Sequence, residues 1–256
     1  MTAFAPRWSF LVVLGALPLL AAGRTGASTS SPESRATIAK QIPLTPGGRL
    51  TLDNGLGDVT IEAWTRDLVD LRAEETADSD SDLALVPVDI KVAPDALAIS
   101  SRAPAYSLDT RVRVDYRLRV PGGVDLKLVK TDRGRVSIAD VSGRAVVRVI
   151  TGTIRIRGFA GYLDGSTING EIDVNLTRFD RGDFVALDTY NGDIVLRLPS
   201  GTNANYSLRT LNGVIDSNVP MPVLKSYGPH VAHVAGDVND PLVRLTSVNG
   251  SIHVTR

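Results

Sequence analysis

No cysteine occurs in the 256 residues, so the core has to hold without disulfides, which a chain of this length can do. An excess of charge is also missing. Lys and Arg number 28 against 28 Asp and Glu, so there is no basic surplus of the kind that partners nucleic acid. No apolar run reaches the ~20 residues that a membrane-spanning helix needs. The longest, Phe10 to Ala22, is about 13 residues. Beyond it no stretch of useful length carries the 3.6-residue period of an amphipathic helix. No glycine loop of the phosphate-cradling type and no Ser-His-Asp context is found. No cofactor is expected.

The N-terminal residues read as an export signal. Arg7 precedes the apolar run, and the small residues Ala21, Ala22 and Gly23 close it, which places residues 1–23 in a signal peptide. Leu19 to Gly23 has the outline of a lipoprotein signal, but Arg24 stands where the lipidated cysteine would be, which excludes that anchor. The expected location is therefore the periplasm, the cell envelope or the exterior, with no transmembrane helix in the mature chain. Residues 24–35, rich in Ser and Thr, read as a flexible linker.

What fills the rest is a repeat. The glycines Gly134, Gly152, Gly170, Gly192, Gly213 and Gly250 follow one another at 18, 18, 22, 21 and 37 residues. Two places after each stands Val136, Ile154, Ile172, Ile194, Ile215 or Ile252. A period near 20 residues marks one supersecondary unit copied along an axis. Counting from the glycine, apolar columns recur two and four places after it and five and seven places before it, with polar residues between. Such alternation buries one face of each strand. The fold expected is all-β. It is a β-solenoid of short strands (123–256) capped by an N-terminal β region (36–122), with an antiparallel meander or sandwich as the second arrangement that fits. Asn54-Gly55 reads as the turn of an early, imperfect copy, and Glu74 to Asp82 as a solvated acidic loop. A Thr/Ser column (Thr131, Thr167, Thr189, Thr210, Ser247) and an Asn column (Asn169, Asn191, Asn212, Asn249) favour stacking of like on like.

These motifs resemble the bacterial family known as "putative adhesins" or β-strand-repeat proteins, whose domain has no assigned function. The likeness rests on Leu50-Thr-Leu-Asp-Asn-Gly with Gly57-Asp-Val-Thr-Ile-Glu-Ala-Trp64, on Tyr116-Arg-Leu-Arg-Val-Pro-Gly-Gly-Val-Asp-Leu126, and on the Thr-x-Asn-Gly copies beginning at Thr167, Thr189 and Thr210. It implies an exported β-helical module at a bacterial envelope, with adhesion inferred and no active site to transfer.

Three sets of side chains are candidates for a role. Ile150, Ile168, Tyr190, Leu211 and Val248, each two places before a repeat glycine, point opposite to the Thr column and would form an outward apolar stripe. It would suit an envelope protein, a glycan or a second copy of the chain. Glu171, Asp173 and Asp193 share an outward face and could serve a polysaccharide-active enzyme, the alternative to a non-enzymatic contact module. His230 and His233, with Asp237 and Asp240, lie in a Pro/Gly-rich insertion without the fixed face a metal site needs, and no metal is expected. That insertion, 219–240, is expected to cover an open sheet edge. A chain lacking residues 219–240 should then associate or lose stability, measured by sedimentation and thermal melting. A monomer of unchanged stability contradicts the cap.

Overall fold

The structure, a computed structural model, describes residues 34–102, 111–219, 223–224, 230–234 and 237–256. The signal segment and all but two residues of the linker lie outside the described residues. The first strands are β1 (Ser34–Pro43), β2 (Arg49–Leu56), β3 (Val59–Trp64) and β4 (Leu68–Ala77), followed by a single helical turn, α1 (Asp80–Leu83). Then come β5 (Asp89–Ala93), β6 (Ala96–Ser101), β7 (Arg113–Pro121), β8 (Asp125–Arg133), β9 (Val136–Ala139) and β10 (Ser142–Thr151). The series continues with β11 (Ile154–Asn169), β12 (Ile172–Leu176), β13 (Phe184–Asn191), β14 (Ile194–Arg197) and β15 (Asn205–Asn212). Last are β16 (Ile215–Ser217), β17 (Val223–Leu224), β18 (His230–Val234), β19 (Leu242–Asn249) and β20 (Ile252–Thr255). The expectation of an all-β chain is met.

Two sheets of mainly parallel strands enclose the core. One runs β6, β2, β8, β10, the second half of β11, β13, β19 and β15. The other runs β7, β3, β9, the first half of β11, β12, β14, β20 and β16. β11 belongs to both, crossing between them near Gly158 and Gly161. The strands flanking each Asn-Gly, such as β13 and β14, lie in different sheets and pair with neighbouring copies. The two-residue hairpin favoured by Asn-Gly does not form there, although two sheets facing across one core keep the layering of a sandwich. Antiparallel strands flank the parallel sets: β1 on β4 on β7, β5 on β6, and β17 on β18 on β15.

The columns counted from the glycines face inward. Ile154, Ile172, Ile194 and Ile252 align as register partners, and so do Ala145, Leu163, Val185 and Val243; all are fully buried. At ~1.5–3 kcal/mol per buried aliphatic side chain, these columns supply the main favourable term of the core. The layers do not stack in chain order. The copy ending at Gly250 lies between those of Gly192 and Gly213, because β19 pairs with both β13 and β15.

The corner explains the repeat. Each glycine N–H donates to the carbonyl just before the next layer's glycine, for instance Gly152 to Asn169 at 2.9 Å and Gly192 to Asn249 at 2.9 Å. The glycine backbones pass so closely that a Cβ on Gly152 (φ +142°) would lie 1.9 Å from the Gly134 carbonyl oxygen. The corner carbonyls point inward and receive side-chain hydroxyls instead. Thr131 donates to Gly57 O at 3.1 Å, Thr189 to Gly170 O at 3.1 Å, Ser247 to Gly192 O at 3.1 Å and Thr210 to Gly250 O at 2.7 Å. Thr167 makes the longer contact to Gly152 O, 3.4 Å. In the copy of Gly152 that slot holds Val149, which has no hydroxyl to offer Gly134 O.

The early copy is assigned differently from the sequence expectation. Its corner glycine is Gly57, and Asn54 pairs with Thr131 in the buried column instead of forming a turn. Its Nδ2 donates to Val114 O at 3.0 Å, and its Oδ1 accepts from Ser101 at 2.9 Å. The acidic segment differs too: Glu74 to Ala77 continue β4, and only the residues after them leave the sheet, with Ser79 capping α1.

Removing a hydroxyl from the column should cost stability, and adding one should restore it. Thr189→Val is expected to lose about 1–3 kcal/mol, and Val149→Thr to gain about 0.5–1.5 kcal/mol. Gly152→Ala should cost on the order of 3 kcal/mol or more through backbone strain. Denaturant unfolding of the three variants checks the order.

Candidate functional site

Alternation at the corner dictates the outer surface. The residue three before the glycine is inward, so the residue two before it faces solvent. Ile150, Ile168, Tyr190 and Leu211 are 41, 50, 55 and 46% exposed, and Val248 is half-buried between Tyr190 and Leu211. The register places them on adjacent strands in the order Ile150, Ile168, Tyr190, Val248, Leu211. Five strands at ~4.8 Å spacing make a stripe about 19 Å long.

The stripe is bordered by a rail of amides. Asn191 Nδ2 donates to Asn169 Oδ1 at 2.7 Å, Asn249 to Asn191 at 2.7 Å and Asn212 to Asn249 at 2.8 Å. Arg133 and Thr151 stand in the equivalent places of the earlier copies, so the rail begins at Asn169. In the direction of β8 the stripe ends at charge. Asp132 occupies its slot and binds Arg102 at 2.7 Å and Lys130 at 3.5 Å, while Arg102 also binds Asp53.

The outward carboxylates are engaged separately. Asp173 is ion-paired with Arg197, and Asp193 Oδ1 accepts the backbone N–H of Ser251 at 2.6 Å, pinning the next layer's corner. Glu171 is exposed. Asp58 plays the role of Asp193 at the other end, accepting from Arg135 N at 2.8 Å. His230 and His233 lie on β18 opposite Thr210 and Ser207, three residues apart on an extended strand and hence on opposite faces. Asp237 and Asp240 close their own turn, Asp240 Oδ2 accepting from Asp237 N at 3.0 Å. Another row of large side chains, Tyr162 stacked on Phe184 at 5.1 Å, has Arg144 over the outer tyrosine face at 4.3 Å, so its rings are already covered.

Solved structures similar to this chain share little sequence with it. A "putative cell adhesion protein" from Clostridium sporogenes is 12% identical over 87% of this chain and 99% of its own, with a TM-score of 0.48. A "putative adhesin" from Bacteroides fragilis is 11% identical over 87% and 98%, with a TM-score of 0.42. A "putative lipid binding protein" from Parabacteroides distasonis is 14% identical over 86% and 97%, with a TM-score of 0.29. No family model and no curated protein matches the sequence.

One acid was hidden by its sequence context. Glu75 lies on the inward face of β4 with Val69, Leu71, Ala73 and Ala77, and is 8% exposed. Burial raises its carboxyl above the ordinary 4.5. The nearby Tyr116 hydroxyl is pushed up to about 12 by burial, with the Glu75 charge adding to the shift. Because the folded chain holds the Glu75 proton more tightly than the unfolded chain, stability falls as pH rises from about 4.5 through the folded value. Glu75→Gln should therefore melt higher than the parent at pH 7 and together with it below pH ~4, in thermal melts across that range.

Proposed function

We propose that this chain is an exported, non-enzymatic β-repeat module that acts by surface contact, as an adhesin-like binder or an envelope-structural element. On this reading the stacked layers form a β-solenoid, and residues 36–122 and 219–240 shield its ends. The observation that carries the proposal is the apolar stripe. Four of its five residues are at least 41% exposed on strands whose inward faces already fill the core, so folding leaves them free for a partner. Among the described residues no helix is long and apolar enough to cross a membrane. The signal-like N-terminal residues and the motif resemblance support export.

A polysaccharide-active enzyme built on Glu171, Asp173 and Asp193 has less support. Asp173 is neutralised by Arg197 and Asp193 holds a backbone N–H, which leaves neither free as the acid–base partner of a pair.

Binding on a glycan array and self-association by sedimentation should both be measured for the parent and for Tyr190→Ser/Leu211→Ser. The double variant is expected to lose the association of the parent while its melting temperature stays within about 2 °C. A large drop in melting temperature would identify the stripe as core and end the proposal. A hydrolysis assay on the same glycans should yield no product.

A further inference from the structure

A second surface lies away from the stripe, on the outer face of the sheet that contains β9. The outward residues of β9 are the small Ser137 and Ala139. On one side β3 presents Thr60 and Glu62, and on the other β11 presents Arg155 and Arg157, in register as Thr60, Ser137, Arg155 and as Glu62, Ala139, Arg157. Small residues between two taller rows leave a groove of about 300 Å3 along β9. Its walls are two strand spacings apart, about 9.6 Å.

The charges along this groove are not compensated. Arg155 and Arg157 are exposed and form no ion pair with a described residue. The acid beside Arg155 in register, Asp173, is occupied by Arg197. Beyond Glu62, β7 adds Arg119, whose guanidinium lies 5.8 Å from the Trp64 ring and forms no ion pair with a described residue, although Asp70 of β4 stands beside it in register. Three guanidinium groups without an ion pair stand along two carboxylates, Glu62 between them and Asp70 beside Arg119, with the hydroxyls of Thr60 and Ser137 near Arg155.

We propose that this groove binds an acidic polysaccharide, its carboxylates held by Arg155 and Arg157 and its hydroxyls by Thr60 and Ser137. Two guanidinium forks on alternate residues of one strand lie about 6.5–7 Å apart and match carboxylates repeated along a polymer. An extended peptide gains little here, because β9 is paired on both sides and offers no free backbone for strand addition. A lipid surface finds no exposed large apolar side chain along the groove to receive.

The test is affinity electrophoresis of the full chain in gels containing polygalacturonate, with dextran as the neutral control and phosphatidylglycerol vesicles in a parallel flotation assay. The parent should be retarded by polygalacturonate and not by dextran, and retardation should weaken with added salt. Arg155→Gln/Arg157→Gln should weaken binding at least ten-fold, and Ala139→Trp, which fills the groove and keeps the charge, should do likewise, both with unchanged melting. The proposal is overturned if the parent binds polygalacturonate no better than dextran, if vesicles bind and polygalacturonate does not, or if the double arginine variant stays within two-fold of the parent. Tyr190→Ser/Leu211→Ser should leave this binding intact, which keeps the two surfaces distinguishable.

Discussion

Where the chain passes from one sheet to the other, a glycine carbonyl points into the stack with no backbone donor to receive it. That unsatisfied acceptor would cost stability in a dry interior, and it is met in almost every layer by a hydroxyl three residues before a neighbouring layer's glycine. The rest of the repeat follows from this contact. The hydroxyl must point inward, so the next residue must point outward, and the one after it brings its amide level with those above and below. Glycine itself is required because the backbones meet at a distance that admits no Cβ. Geometry therefore forces the stripe positions into solvent, but does not force them to be apolar. Ile, Ile, Tyr, Val and Leu at five solvent-facing slots are a choice of composition, and that choice carries the functional reading.

The inward columns could be read from the chain because strict alternation, counted from a marked residue, fixes the side on which each residue falls. The fate of the Thr column could not. Its partner is a main-chain oxygen in another layer, and no local pattern announces it. Asn54-Gly55 has the composition of a tight turn, and only the pairing with Thr131 shows that Asn54 fills the hydroxyl slot of the first layer. Glu75 was concealed by its acidic neighbours, although a continued alternation from Val69 through Ala77 marks its position as inward. The layer order was also hidden. Copies with the same columns stack equally well in any sequence, so periodicity is blind to their permutation.

The outward charges divide into two populations. Many are paired at short range or used to hold backbone, as Asp193, Asp58 and Asp173 are. These contribute to layer registration and little to any field beyond the surface. Others, Arg119, Arg155 and Arg157 among them, are held in position by the strands without an ion pair to a described residue. Rigid strands position such groups without the ordering cost that a flexible loop would incur.

The insertion of the Gly250 copy between those of Gly192 and Gly213 has a consequence for how the molecule comes into being. During synthesis from the N-terminal end, β15 emerges before β19, the strand that connects it to the growing stack. Until Leu242 to Asn249 arrive, β15 has only the antiparallel hairpin of β17 and β18 for company. The distal end thus cannot crystallise onto the stack layer by layer as the chain appears. The arrival of β19 completes two layers at once, its own and that of β15.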